Sequence, residues 1–312
     1  WIAALSARST GESGWLLLGV TGMGAVMGLS AFWIVLGEVI GVFLSWHFMA
    51  AKFKNLTDRY SSITVPDFLH SHFNAKTNTI RIIAATALSA FVVIYVSAQI
   101  DITGKTFESF LGYNYYNGIF IGFGIVVAYI FSGGFLAVAW SDIFQGSLMF
   151  VALLILPIVA YFQLPTDTDF YQGLKDIDPS LLNVWGDGGF NLLNAFSVIG
   201  LLSIGIGFLG SPQVYVRFIA IRDSAEIKKG KIVAVLYTLI TSSSAVVIGM
   251  FGRFMFTKSN QSPELVLGVA GENVLYLLLI EIMPTVIVGF YIAALLSAVM
   301  STVDSLLVVA SS

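Results

Sequence analysis

The sequence predicts an all-α membrane protein that crosses the bilayer several times, and three observations predict it. Apolar residues make up 57% of the chain and charged residues 11%, against about 25% charged in soluble domains. A chain of 312 residues with so few charges could not cover a water-facing surface. The mean hydropathy of +0.89 is carried by runs that reach the ~20 residues needed to cross a hydrocarbon core. Those runs are continuous rather than alternating, which excludes a transmembrane β-barrel. There is no cysteine, so disulfide and thiolate chemistry are excluded. A net charge of -3 implies no polyanionic or polycationic partner. No segment reads as a cleavable signal peptide.

The spans fall near 1–27, 29–51, 79–111, 116–132, 135–163, 191–221, 230–257 and 284–312, about eight in all by the length rule. An interfacial helix is expected near 264–282. The chain opens without methionine inside one apolar run and closes inside another, as a piece of a longer transporter would. Two connections are basic: 52–81 carries Lys52, Lys54, Arg59, Lys76 and Arg81, and 217–231 carries Arg217, Arg222, Lys228, Lys229 and Lys231. The 164–190 connection carries Asp167, Asp169, Asp176, Asp178 and Asp187 against Lys175 alone. Positive charge stays on the cytoplasmic side, so the basic connections are expected inside and the acidic one outside.

Ionisable groups inside spans are costly and mark function by default. They are Arg8, Glu12, Glu38, Asp101, Asp142 and Asp304. Lys105, Glu108 and Arg253 sit near span ends, where snorkelling accounts for them. Arg8 and Glu12 belong to "ARSTGESGW", a polar, glycine-bearing stretch in the middle of the first span. Such a stretch permits unwinding, which survives at membrane depth only if buried or facing a water-filled cavity. Freed carbonyls there can hold a cation, and the amides near Ser13 and Gly14 can hold an anion. The other reading is a kinked helix with an internal Arg8–Glu12 pair at i,i+4 spacing. A second break is expected in "SIGIGFLGSP" at 203–212 of the sixth span. Its Gly205, Gly207 and Gly210 form a G-x-G-x-x-G, but no strand precedes it, so a dinucleotide loop is not implied. Breaks in the first and sixth spans are the pattern of an inverted-repeat transporter, with a five-helix repeat over 1–163 and a truncated second repeat over 191–312.

On the last span Ala298, Ser301, Thr302 and Ser305 recur at i, i+3, i+4 and i+7 and share one face. Asp304 lies at its edge. Hydroxyls and carbonyls suit a hard cation rather than a transition metal. Serine and threonine also glue helices together, so the face alone leaves both readings open.

Five stretches carry a family resemblance: "WIAALSARSTGESGWLLLG" at the start, "ITVPDFL" at 63–69, "SGGFLAVAWSDIFQGSLM" at 132–149, "GFLGSPQVYVRFIA" at 207–220 and "AALLSAVMSTVDSLLVVASS" at the end. The chain resembles the sodium:solute symporters, most of all their sodium/proline branch. The resemblance implies a LeuT-type inverted-repeat bundle that couples inward Na+ flow to uptake of a small organic solute, proline or a related amino acid first. Carried over position by position, Na+ would meet carbonyls at Ser9, Glu12 and Ala298 and the hydroxyls of Ser301 and Thr302. A second ion site or exit path would use Asp142 with Ser301, Asp304 and Ser305. The solute side implies Ser13, Gly14, Trp15, Tyr95, Gln99, Phe208 and Pro212. That side departs from proline symporters, which have an aspartate in place of Gly11, an apolar residue in place of Glu12, and a tryptophan and a tyrosine in place of Ile204 and Phe208. Glu12 therefore needs a partner, either Arg8 or the amine of a bound amino acid.

The implied partners are a solute, Na+ and the lipid bilayer, in a bacterial or archaeal plasma membrane, with no nucleic acid. Transporter-like domains of this family also occur in membrane histidine kinases, so a sensory domain is the alternative function. An integral-membrane enzyme is not implied, because His47, His70 and His72 cluster in and beside a basic connection and no catalytic constellation is present.

Overall fold

The computed structural model describes residues 2–222, 224–259 and 261–311, and for 2–3, 129, 132–137, 224–225 and 311 the backbone alone. The outermost residues of the first and last expected spans, Trp1 and Ser312, and the side chains of the "SGG" stretch therefore lie outside the described residues. No strand occurs among the described residues. Six helical stretches among the described residues are long and apolar enough to cross a membrane.

The first covers residues 4–60 and so takes in the first two expected spans; it begins with α1 (Ile2–Gly14), continued through a π-helical turn at Trp15–Val20 into α2 (Thr21–Met27). Gly28 turns the chain with φ of 57°. A Cβ there would lie 2.1 Å from the Leu181 carbonyl oxygen, so only glycine suits both the backbone and the contact. α3 (Phe32–Leu44) then runs through a second π turn into the amphipathic α4 (Ala50–Tyr60). After α5 (Val65–His72) comes the long span α6 (Thr79–Leu111).

α7 (Tyr115–Phe162) is helical over 48 residues, which laid straight would measure about 72 Å, more than twice a hydrocarbon core. It does not run straight. Val126 shares a small cavity with Val299 and Val303, and Asp142 bonds to Ser301. Both therefore lie beside one stretch of the last span, so α7 is bent between them, and the expected spans at 116–132 and 135–163 fall on its two arms.

The acidic connection, expected as a loop, contains α8 (Phe170–Ile177). Phe170 packs on Phe251 and Phe254, and Leu174 is buried. The i, i+4, i+7 spacing of Phe170, Leu174 and Ile177 is the signal for it.

The sixth span is divided into α9 (Leu192–Gly207), a 3₁₀ turn at Phe208–Gly210 and α10 (Pro212–Ala220). α9 crosses α3 with backbones in contact, because a Cβ on Gly205 would fall 1.8 Å from the Gly37 carbonyl carbon. That is the close approach small residues permit between membrane helices. It explains the first glycine of the G-x-G-x-x-G without any nucleotide. α11 (Ser224–Phe256) follows. The expected interfacial helix is two pieces, α12 (Glu264–Leu267) and α13 (Val274–Ile282). The last span is α14 (Thr285–Ser311). The main apolar core is built from the π turn at Trp15–Val20, α6, α7, α11, α13 and α14.

Candidate ion and solute site

The break in the first span falls at Ser13, whose φ of 41° and ψ of -177° leave the helix. A left-handed φ on a residue with a Cβ costs roughly 1–2 kcal/mol. Three bonds hold it. The Ser13 hydroxyl pairs with the Tyr95 hydroxyl at 2.9 Å and accepts the Trp15 amide at 3.1 Å. The Gly14 amide, freed by the break, donates to Gln99 Oε1 at 3.1 Å. Tyr95 and Gln99 are one turn apart on α6, so one helix face clamps the break. This corrects one expectation: the Gly14 amide is already engaged by a side chain rather than left for an anion.

Beneath the break, α14 lies along α1. Ser301 and Ser9 hydroxyls meet at 2.9 Å. Thr302 Oγ1 lies 3.1 Å from the Thr10 carbonyl oxygen and 3.0 Å from that of Ala298. Ser305 and Thr10 hydroxyls lie 3.1 Å apart. All of these side chains are buried. Buried hydroxyls beside the carbonyls of an interrupted helix form an all-oxygen donor set, the chemistry that suits a hard cation. No cluster of three or more His, Cys, Asp or Glu side chains is present among the described residues.

Asp142, fully buried on α7, faces the bundle interior. Its oxygens accept from Ser301 at 2.5 Å and Ser6 at 2.6 Å, and its carboxylate pairs with Arg217 at 2.7 Å. Arg217 also donates to the hydroxyls of Ser305 and Ser6 and to the Gln213 carbonyl. Sequence reasoning assigned Arg217 to a basic connection, whereas it lies in α10 with 2% exposure. The available signal was Asp142 itself, since a carboxylate at that depth requires a counter-charge. Asp304 is buried next to this cluster and accepts from Ser305 at 3.1 Å.

On the other side of the break lies a cavity of about 550 Å³. Trp15, Tyr95, Phe208 and Pro212 line it, as the sequence suggested, together with Gly11, Ile204 and Glu38. Its floor is the second break, where Ser211 is extended (φ -69°, ψ 109°) ahead of Pro212, a conformation that a following proline favours. Ser13, Gly14 and Gln99, expected on the solute side as well, do not line it and instead bond at the break, Ser13 to Tyr95 and the Gly14 amide to Gln99. Arg8 and Glu12, both buried, are paired at 2.6 Å, so Arg8 is the partner of Glu12 in this conformation. The Arg8 guanidinium lies 4.6 Å from the Phe208 ring centroid. Glu38, which sequence reasoning left without a role, accepts from Ser242 at 2.6 Å.

The comparisons with known proteins settle the class. Residues 1–312 match the sodium:solute symporter family from end to end. The chain belongs to the sodium:solute symporter family. Among this family's members, a high-affinity proline transporter of Bacillus subtilis, PutP, is 35% identical over all of this chain and 64% of its own length. An osmoregulated proline transporter of the same organism, OpuE, is 31% identical, with 62% of its length covered. The chain thus spans somewhat less than two thirds of these relatives. A solved Na+-coupled sialic acid symporter, in a substrate-bound outward-open state, superposes over 98% of this chain and 64% of its own with a TM-score of 0.79 at 21% identity. That likeness concerns the fold. With six helices among the described residues long and apolar enough to cross a membrane, this symporter-family chain is a multi-pass integral membrane protein.

Proposed function

We propose that the protein containing this chain is a secondary active transporter that couples inward Na+ flow to uptake of a small organic solute, with proline or a related amino acid first. Family membership and proline-transporting relatives support this. The observation that carries it is local: α1 breaks at Ser13 between a buried all-oxygen face and a solute-sized cavity. A catalytic role has no support in either place.

In this reading Na+ is held by the carbonyls of Ser9, Glu12 and Ala298 and the hydroxyls of Ser301 and Thr302. Asp142, with Ser301, Asp304 and Ser305, serves a second ion site or exit path, and Arg217 competes with the ion for Asp142. Trp15, Tyr95, Phe208 and Pro212 face the solute, with Ser13, Gly14 and Gln99 setting the break beside it. Residues 1–163 form one five-helix repeat and 191–312 part of its inverted partner. The basic connections face the cytoplasm of a bacterial or archaeal cell and the acidic connection faces outward.

Uptake by the full-length protein in proteoliposomes tests this. Radiolabelled amino acids and sugars are offered with an inward Na+ gradient, with K+ in its place, and with the gradient collapsed. Accumulation of a solute only with the Na+ gradient is the expected result. Equal accumulation in K+ refutes Na+ coupling.

A further inference from the structure

Three ionisable groups meet at the solute cavity, one basic and two acidic. Arg8 supplies one positive charge, and Glu12 at 2.6 Å takes it. Glu38, from α3, lies within electrostatic reach of both. Its Oε2 is held by the Ser242 hydroxyl, a neutral donor. With both carboxylates ionised the cluster carries one surplus negative charge. A buried carboxylate left without a counter-charge is costly, by several kcal/mol on most scales.

The geometry assigns that surplus to the cavity. Glu38 lines it, and it is the one charged residue among the described residues that do. Arg8 is not among its lining residues; the guanidinium lies over the ring of Phe208, which is. The two amides released by the first break are engaged, Gly14 by Gln99 and Trp15 by the Ser13 hydroxyl. Around Glu38 the wall is apolar and aromatic, with Trp15, Phe91, Tyr95 and Phe208. Aromatic faces with one carboxylate are the chemistry that receives a positively charged nitrogen on an apolar body.

We infer that Glu38 is the specificity-determining counter-charge for a positively charged nitrogen on the solute, while the Arg8–Glu12 pair is structural. This rests on the transport reading above and names the substrate class of its cavity. A zwitterionic amino acid and a carboxylate-free amine share this chemistry.

The test is equilibrium binding to the full-length protein in detergent at saturating Na+, read by radioligand displacement and thermal shift. The nitrogen-bearing probes are proline, glycine betaine, pyrrolidine and choline. Tetrahydrofuran-2-carboxylate, with a ring oxygen in place of the ammonium, is the counterpart of proline that keeps the carboxylate and lacks the positive nitrogen. The wild type is expected to bind at least one nitrogen probe about ten- to hundredfold more tightly than the oxygen ring, the range of a charged hydrogen bond. Glu38→Gln keeps the shape and a partner for Ser242, and is expected to erase that preference, while Glu38→Asp keeps it. Binding of pyrrolidine or choline as tight as that of proline identifies a carboxylate-free amine site; a requirement for the carboxylate identifies an amino acid site.

Equal wild-type affinity for proline and the oxygen ring overturns the inference, as does failure of all four nitrogen probes, and neither result depends on a variant that folds. A Glu38→Gln protein that keeps the preference but needs more Na+ also overturns it and gives Glu38 to the ion. Because the measurement uses no gradient, absence of Na+-driven uptake would refute the transport reading while leaving this result legible.

Discussion

Arg217 offers the sharpest test of how the interior is held together. In the structure it binds Asp142 at 2.7 Å, the hydroxyls of Ser6 and Ser305, and the Gln213 carbonyl, with both charged side chains sealed from solvent. Arg217→Met removes the counter-charge and keeps most of the volume. Asp142 is then left with two hydroxyl donors, Ser6 and Ser301. Breaking one side of a buried pair costs about 3–5 kcal/mol, a large share of a stability of ~5–15 kcal/mol. Asp142→Asn alone takes from the guanidinium the carboxylate it pairs with and is expected to cost a similar amount. The double variant Arg217→Met with Asp142→Asn removes both charges and keeps an acceptor for the two hydroxyls. It should therefore be more stable than the sum of the single losses predicts, with a coupling of about 2–3 kcal/mol. The assay is unfolding of the full-length protein in detergent by heat and by denaturant, in K+ buffer so that Na+ does not replace the missing charge. Losses that add to within ~0.5 kcal/mol would show that the two charges do not depend on each other, and the reasoning fails.

Three further outcomes are expected. Ser301→Ala with Thr302→Ala removes two oxygens from the buried face and should raise the Na+ concentration for half-maximal uptake, with a smaller effect on solute affinity at saturating Na+; an unchanged Na+ dependence counts against the site. Glu12→Gln weakens the bond to Arg8 and should lower folded yield, by roughly 1.5–3 kcal/mol of stability for a charged bond, more than it alters solute preference; size-exclusion yield and competition binding compare the two. Gly205→Val puts side-chain atoms where the Gly37 backbone lies and should abolish monodisperse protein, since overpacking commonly costs about 1–3 kcal/mol or more; a well-folded variant would mean that α3 and α9 are not in backbone contact.

The sequence by itself determined the solvent and the architecture. Continuous apolar runs select spanning helices because no other open structure satisfies backbone groups in hydrocarbon. Both helix interruptions were legible, since glycine, serine and proline are weak helix formers and stand out inside an apolar run; the breaks fall at Ser13 and at Ser211. The hydroxyl face of α14 was legible from spacing alone, because 3.6-residue periodicity fixes which side chains share a face.

What the sequence left undecided depends on long-range approach. An i,i+4 spacing allowed the Arg8–Glu12 pair but did not exclude a bound amine as the partner of Glu12; burial of both groups in contact decided it for this conformation. Arg217 follows an apolar run and precedes basic residues, so its local pattern reads as a loop charge. Only the placement of α10 against α7 and α14 turns it inward to Asp142, 75 residues away. Glu38 and Ser242 are 204 residues apart, and nothing local pairs them. Charge pairing inside a membrane protein is set by which helices touch. A span's own residues fix that it is a helix, and the packing of its neighbours fixes what its charges meet.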